Sequence, residues 1–227
     1  MTFKCLATGS SGNCYIITLD GFNFLLDAGI SIEKIIKAIN LNNVDMCFIS
    51  HEHKDHSKSV ENLRKRHVSI LEGKTIQEFT KIEKNGKFKG KIQIFCFDVE
   101  HGDVKNAAII LKTEKECILY IIDFTICKYD LSDFKFTSVI VECNYLTEKV
   151  KQDADFIRAK EDIYRHQSLE GCKLFLSKLD LSKCTQIILT HFSDNYADPV
   201  FMGSVISNTF KIKTLTCKKY GGYDTYE

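Results

Sequence analysis

Residues 51–56 read HEHKDH, which places three of the chain's seven histidines and an aspartate in six positions. Imidazole and carboxylate together suit zinc, and also manganese or iron. In a near-extended chain, side chains two positions apart point the same way, so His51 and His53 can share one metal ion. Asp55 and His56 follow after a turn and can hold a second. A solvated polar loop is the bland alternative. With histidine at roughly 3% of positions, three in fixed slots arise by chance on the order of 10⁻⁵ per window, which disfavours that alternative.

Two metal ions need further donors. His101 follows IQIFCFDVE, Asp123 ends CILYIID, and His191 follows QIILT. Each alone reads as a satisfied polar residue. Together, each at the end of an apolar strand, they read as one site built from the rim of a sheet. His166, in RHQSLEG, reads either as a proton donor or phosphate ligand, or as a surface histidine ahead of a helix. His67, in RKRHVSI, is assigned to the surface.

The elements that must position these residues are short and apolar. β-rich runs occur at 14–19, 22–27, 44–50, 92–97, 107–112, 117–123, 138–143 and 186–190. Several are continuously apolar, as strands covered on both faces are. Helical patterns lie between them. SIEKIIKAIN has Ser31 as N-cap and Ile32, Ile35, Ile36 and Ile39 on one face. A second helix is expected over 168–180. A third starts from Asp198 as cap with Pro199 in its first turn. The class is α/β or α+β with sheet at the centre.

Composition narrows the setting. The formal net charge is +1, so no global field draws the chain to nucleic acid or a membrane. RKR at 64–66 and KIEKNGKFKGK at 81–91 are the dense basic stretches. They can track a nucleic-acid backbone, although solvated loops are the commoner reading. The ten cysteines are scattered singly, several inside apolar runs, and read as reduced. No signal pattern opens the chain and no apolar run approaches about 20 residues, so a cytoplasmic protein without a membrane span is expected. One proline and no Gly/Ser-rich linker point to a single domain over 1–227.

The pattern His-x-His-x-Asp-His with a later His, Asp and His resembles the metallo-β-lactamase superfamily. ATGSSGNCYII and FLLDAGIS resemble the opening of a small bacterial branch that includes exonuclease-like proteins encoded beside a cell-wall two-component system. VECNYL, RHQSLEG and LTHFSDN resemble further landmarks of that branch. The resemblance runs nearly the full length. It implies a four-layer αββα sandwich of two mixed sheets with helices outside. It also implies that His51, His53 and His101 hold a first ion, that Asp55, His56 and His191 hold a second, and that Asp123 bridges. Two departures fall on the cleft wall. HGDV places Gly102 between His101 and Asp103, where the branch has His-Asp, and DFTICKYD lacks the glycine usual after the bridging aspartate.

The expected function is that of a dinuclear metal-dependent hydrolase with two divalent transition-metal ions, zinc first. A phosphodiesterase acting on nucleic acid or small nucleotides is the leading reading. A metal pair turns a bridging water into hydroxide near neutral pH and clamps both oxygens of an in-line displacement, with Asp55 orienting the hydroxide. His166 is the expected general acid, with a metal-bound water or Asp103 next in line. Alternatives are a hydrolase of a lactone or thioester on the same scaffold, or a non-catalytic metal- or ligand-binding module. The complete set of seven ligands argues against the last. TGSSGN at 8–13 lacks the lysine and spacing of a P-loop. It reads as a tight turn, and the resemblance places its N–H groups near the cleft, where they could meet an anion.

Overall fold

Strands apolar on both faces need cover on both sides, and the chain supplies it by stacking two sheets and adding helices outside each. The computed structural model describes residues 1–73, 75–82, 88–153 and 165–226. One sheet has the order β1 (Thr2–Ala7), β2 (Cys14–Leu19), β3 (Phe22–Leu26), β4 (Met46–Ile49) and β5 (Ile70–Glu72). The other has the order β13 (Tyr223–Tyr226), β12 (Lys213–Cys217), β11 (Gln186–Thr190), β10 (Ser138–Glu142), β9 (Cys117–Ile121), β8 (Val104–Lys112), β7 (Phe88–His101) and β6 (Thr75–Ile82). Both sheets are mixed. β3, β4 and β5 run parallel, as do β9, β10, β11 and β12, while the remaining neighbours are antiparallel.

Three apolar layers follow from this stacking. Tyr15, Ile17, Phe24 and Phe48 of the first sheet meet Ile94, Ile109, Tyr120 and Ile140 of the second in the central layer. Helices α1 (Ile32–Ala38) and α3 (Val60–Arg64) cover the outer face of the first sheet through Ile32, Ile35, Val60 and Leu63. The second sheet is covered by Leu169, Cys172 and Leu176 of α5 (Leu169–Leu176) and by Met202 and Ile206 of α6 (Pro199–Phe210). Two short helices, α2 (Lys54–Ser57) and α4 (Thr147–Lys151), complete the described set. This is the expected αββα sandwich. Among the described residues, no helix is long and apolar enough to cross a membrane.

Side-chain caps account for two of the six α-helix starts among the described residues. Ser168 and Asp198 cap α5 and α6 by accepting from the N–H groups of Gly171 and Phe201. Ser31 stands at the N-cap of α1 without a side-chain bond. Two expectations need correction. Ile36 is 45% exposed, because α1 is a two-turn helix and Ile36 lies one step round from buried Ile35. The helix expected to 180 ends at Leu176, since Asp180 O accepts from Phe136 N at 3.1 Å and that pairing needs extended chain. β1, β5, β6, β12 and β13 were not legible in the sequence. All ten cysteines are free thiols, eight of them buried. The 81–91 basic stretch lies largely outside the described residues. Arg64 of the RKR stretch is tied to Glu61 and Glu72 at 2.6 Å each.

Candidate metal centre

The cluster sits where strands end. Ser50 and His51 follow β4, His53 precedes the single turn of α2, and Asp55 and His56 lie on it. His101 is the last residue of β7, and Asp123 lies two residues beyond β9. Glu142 closes β10, and His191 follows β11. Parallel strands place their carboxyl ends on one edge, so these residues converge from across the sequence. His101 is followed by a two-residue hairpin in which Gly102 has φ 55°, so the departure at HGDV is a turn requirement. Asp103 sits exposed on that turn.

Two donor groups form. His51, His53 and His101 each offer an atom within 4.8 Å of the others, and so do Asp55, His56, Asp123 and His191. Asp123 Oδ2 lies between the groups, 3.1 Å from His56 Nε2, 3.7 Å from His51 Nε2 and 3.9 Å from His101 Nε2. All seven expected residues are thus brought together. Asp123 Oδ1 and His191 Nε2 are buried without a hydrogen-bond partner. Leaving such a group unmet costs about 1–3 kcal/mol. A metal ion satisfies both atoms, and the nitrogen and oxygen donors fit two ions.

Residues not singled out from the sequence hold the ligands in place. Asp27 Oδ2 accepts from His56 Nδ1 at 2.8 Å, which turns Nε2 toward the cluster. Asp27 also accepts from Tyr120 Oη at 2.6 Å, from Ser50 N at 2.8 Å and from Ser50 Oγ at 3.1 Å. Asn13 Nδ2 lies 3.0 Å from His56 Nε2, and Asn144 Nδ2 donates to His191 O at 2.7 Å. Their only sequence signal was a charged residue closing an apolar run, as Asp27 closes FNFLLD and Glu142 closes SVIVE. The TGSSGN loop acts here as a clamp. Asn13 N donates to Asp55 O at 2.6 Å and Asn13 O accepts from Gly29 N at 2.8 Å. A Cβ on Gly29 would stand 1.6 Å from Asp55 O, so only glycine lets the two loops meet.

His166 belongs to this cluster and not to the open surface. Its Nδ1 lies 2.5 Å from Glu142 Oε1, its ring centroid is 5.0 Å from that of His191, and its side chain is 14% exposed. Main-chain bonds fix the segment, with Asn144 N donating to Gln167 O at 2.8 Å. Asp123, Glu142, His166 and His191 also converge within 4.8 Å. Glu142 is already committed there: Oε2 accepts from Phe124 N at 3.1 Å and Gln167 N at 3.3 Å, while Oε1 faces His166 and lies 3.2 Å from His191 Nδ1. It acts as a hub that orients two imidazoles.

The electrostatics divide the cluster. Burial, reinforced by neighbouring imidazoles, pushes His51 down to about 2. Burial also lowers His101. In the other group burial is outweighed. Asp123, then Asp55 and Glu142, raise His191 to about 10, and Asp123 and Asp27 raise His56. Burial opposes ionisation of Asp55, yet the adjacent imidazoles of His191 and His56 hold it well below the usual carboxylate range. Burial opposes the charge on His166 too, but the Glu142 carboxylate raises it.

The family model described as the metallo-beta-lactamase superfamily matches residues 7–73. Exodeoxyribonuclease YycJ of Bacillus anthracis is 36% identical over 70 residues, which are 29% of this chain and 26% of that protein. The match therefore spans about a quarter of that relative's length. The crystal structure of the metallo-beta-lactamase fold protein YhfI from Bacillus subtilis superposes with a TM-score of 0.69 at 15% identity, covering 99% of each chain. Human tRNase Z, short form, superposes with a TM-score of 0.59 at 15% identity, covering 86% of this chain and 93% of that one. At these identities the likeness establishes a common fold.

Proposed function

The chain has the metallo-β-lactamase fold, and on that premise we propose that it is a dinuclear metal-dependent phosphodiesterase acting on nucleic acid or small nucleotides. The observation that carries this reading is the pairing of two donor groups about Asp123 with a histidine wired to buried Glu142. His51, His53 and His101 hold one ion, Asp55, His56 and His191 the other, and Asp123 reaches both. Zinc suits the mixture of imidazole and carboxylate. Bound there, the ions supply Lewis acidity to a phosphoryl oxygen and acidify a water.

The chain's own residues do the rest. Asp55 keeps its charge and orients the attacking water. Glu142 Oε1 accepts the proton on His166 Nδ1, which leaves Nε2 to carry a second proton to the departing oxygen. An alkoxide leaving group needs that proton, whereas the thiolate of a thioester does not, so this arrangement disfavours a thioester. The exodeoxyribonuclease and tRNase Z relatives support a phosphodiester.

His166→Ala should leave metal content unchanged. It should cut the rate on an unactivated nucleotide phosphodiester by roughly 10²–10⁴-fold, the range for general acid catalysis. Hydrolysis of bis(p-nitrophenyl) phosphate, whose leaving group needs little protonation, should fall far less. Equal losses on the two substrates remove His166 from the acid role. Turnover of a lactone or thioester with none of any phosphodiester sinks the reading.

A further inference from the structure

One cavity and one protruding aromatic flank the cluster. A cavity of about 690 Å³ beside His51 is lined by Glu52, Glu61, Glu72, Asp98 and Asp103 against Arg64 and Lys105. Its excess of carboxylates repels a polyanion, so an anionic strand must leave the centre by another side. The opposite flank lies along β11 and β12. These strands are parallel, with Leu189 paired to Thr216, so the register continued past their ends sets Lys218 level with His191. Tyr220 lies two residues further, beyond the same edge that carries His191, Glu142 and Asp123.

The turn that presents Tyr220 is braced. Lys218 N donates to Gly222 O and Gly221 N to Lys218 O, each at 2.9 Å. Gly222 N donates to Cys5 O at 3.1 Å, and Thr8 N donates to Lys219 O at 3.4 Å. Thr8 Oγ1 in turn accepts from His191 N at 2.8 Å. Gly221 has φ +99° and lies against Leu6 O, a conformation and an approach that a side chain would strain. Lys219 is tied to Asp194, three residues past His191. Yet Tyr220 is 82% exposed, more than any other large hydrophobic among the described residues, and the Lys219 ammonium lies 5.8 Å from its ring centroid. A rigid mount, a ring left in water and a position beside the cluster together call for a flat partner.

We propose that Tyr220 is a stacking platform for a nucleobase of single-stranded nucleic acid, one or two nucleotides from the phosphodiester held at the metal centre. The inference rests on the phosphodiesterase reading and adds a residue that binds without taking part in chemistry. Every base has a π-face, so the platform grips the strand without selecting its sequence.

The test compares the intact metal-loaded protein with Tyr220→Ala and Tyr220→Phe. The substrates are a deoxyribo-oligonucleotide, a ribo-oligonucleotide and an oligomer of abasic residues with the same phosphate backbone. Tyr220→Ala should raise KM for the base-bearing strand by about 5- to 140-fold, the range base–aromatic stacking gives, with kcat held. Tyr220→Phe should restore KM, and the abasic oligomer should not distinguish the variants. The deoxyribo and ribo arms show which sugar the strand carries. Unchanged KM in Tyr220→Ala, or equal changes on the abasic oligomer, overturns the platform. Bis(p-nitrophenyl) phosphate turnover by the unaltered protein separates that outcome from failure of the phosphodiesterase reading, which would overturn both.

Discussion

His56 and His191 each have a ring nitrogen beside a buried side chain, Asp27 in one case and Glu142 and Asn144 in the other. In the other half, His51 Nδ1 lies 3.1 Å from Ser50 Oγ, His53 Nδ1 lies 2.8 Å from His51 Nε2, and His101 Nδ1 lies 2.9 Å from the main-chain oxygen of Arg165. One half of the centre is therefore aimed by buried carboxylates before any ion arrives, and the other is held only by neutral groups. Outer residues that fix a ligand's orientation raise affinity. The half built around His56, Asp55 and His191 is expected to fill first.

The largest effect should come from the residue the two halves share. Asp123→Ala removes the oxygen that lies within 3.9 Å of histidines from both groups. Elemental analysis should find both ions lost. Activity should fall by about 10³-fold or more, since Lewis-acid stabilisation is worth several kcal/mol. A variant that keeps one full equivalent of metal would show that the halves do not depend on a common carboxylate.

Asp27→Asn probes the difference between them. The amide keeps the shape but cannot accept as a carboxylate from His56, Tyr120 and Ser50 together. Titration against a competing chelator should show the ion held by His56 bound about 10–100-fold more weakly and the other, reached from Asp27 only through Ser50, weakened less. Equal weakening of both ions would erase the contrast in support.

A smaller effect should appear with pH. In the metal-free chain His191 is raised to about 10 and His56 is also raised, so both carry protons at pH 7 that an ion must displace. His51, at about 2, and the lowered His101 are already neutral there. Affinity at the aimed half should rise with pH by about tenfold per unit for each proton displaced, while the other half stays nearly flat. Calorimetry in buffers of different ionisation heat checks this by counting released protons. Matching proton release from both halves would refute the division.

The sequence made the candidate ligands legible because their chemistry is local. Three histidines and an aspartate in six residues need no fold to look like a site, and His101, Asp123 and His191 each close a run of strand formers. The same periodicity located eight of the thirteen strands. β1, β5, β6, β12 and β13 escaped because they are short or polar, and stay in place by pairing with neighbours. The position of Tyr220 relative to the cluster was equally invisible, since it depends on the register of β11 against β12.

What the sequence determined by itself is therefore the set of donor atoms and the apolar runs that carry them. The tertiary structure decided how those donors are held. Asp27 and Tyr120 meet across 93 positions of chain, and Glu142 and His166 across 24, because two sheets stack and several strands end on one edge. Asp27, Asp123 and His191 adopt left-handed φ of 57°, 51° and 55°, a conformation that side chains resist and that surrounding contacts must impose. No residue type or spacing encodes such a contact. It follows from packing many segments at once, which is why the ligands could be read from the chain and their supports could not.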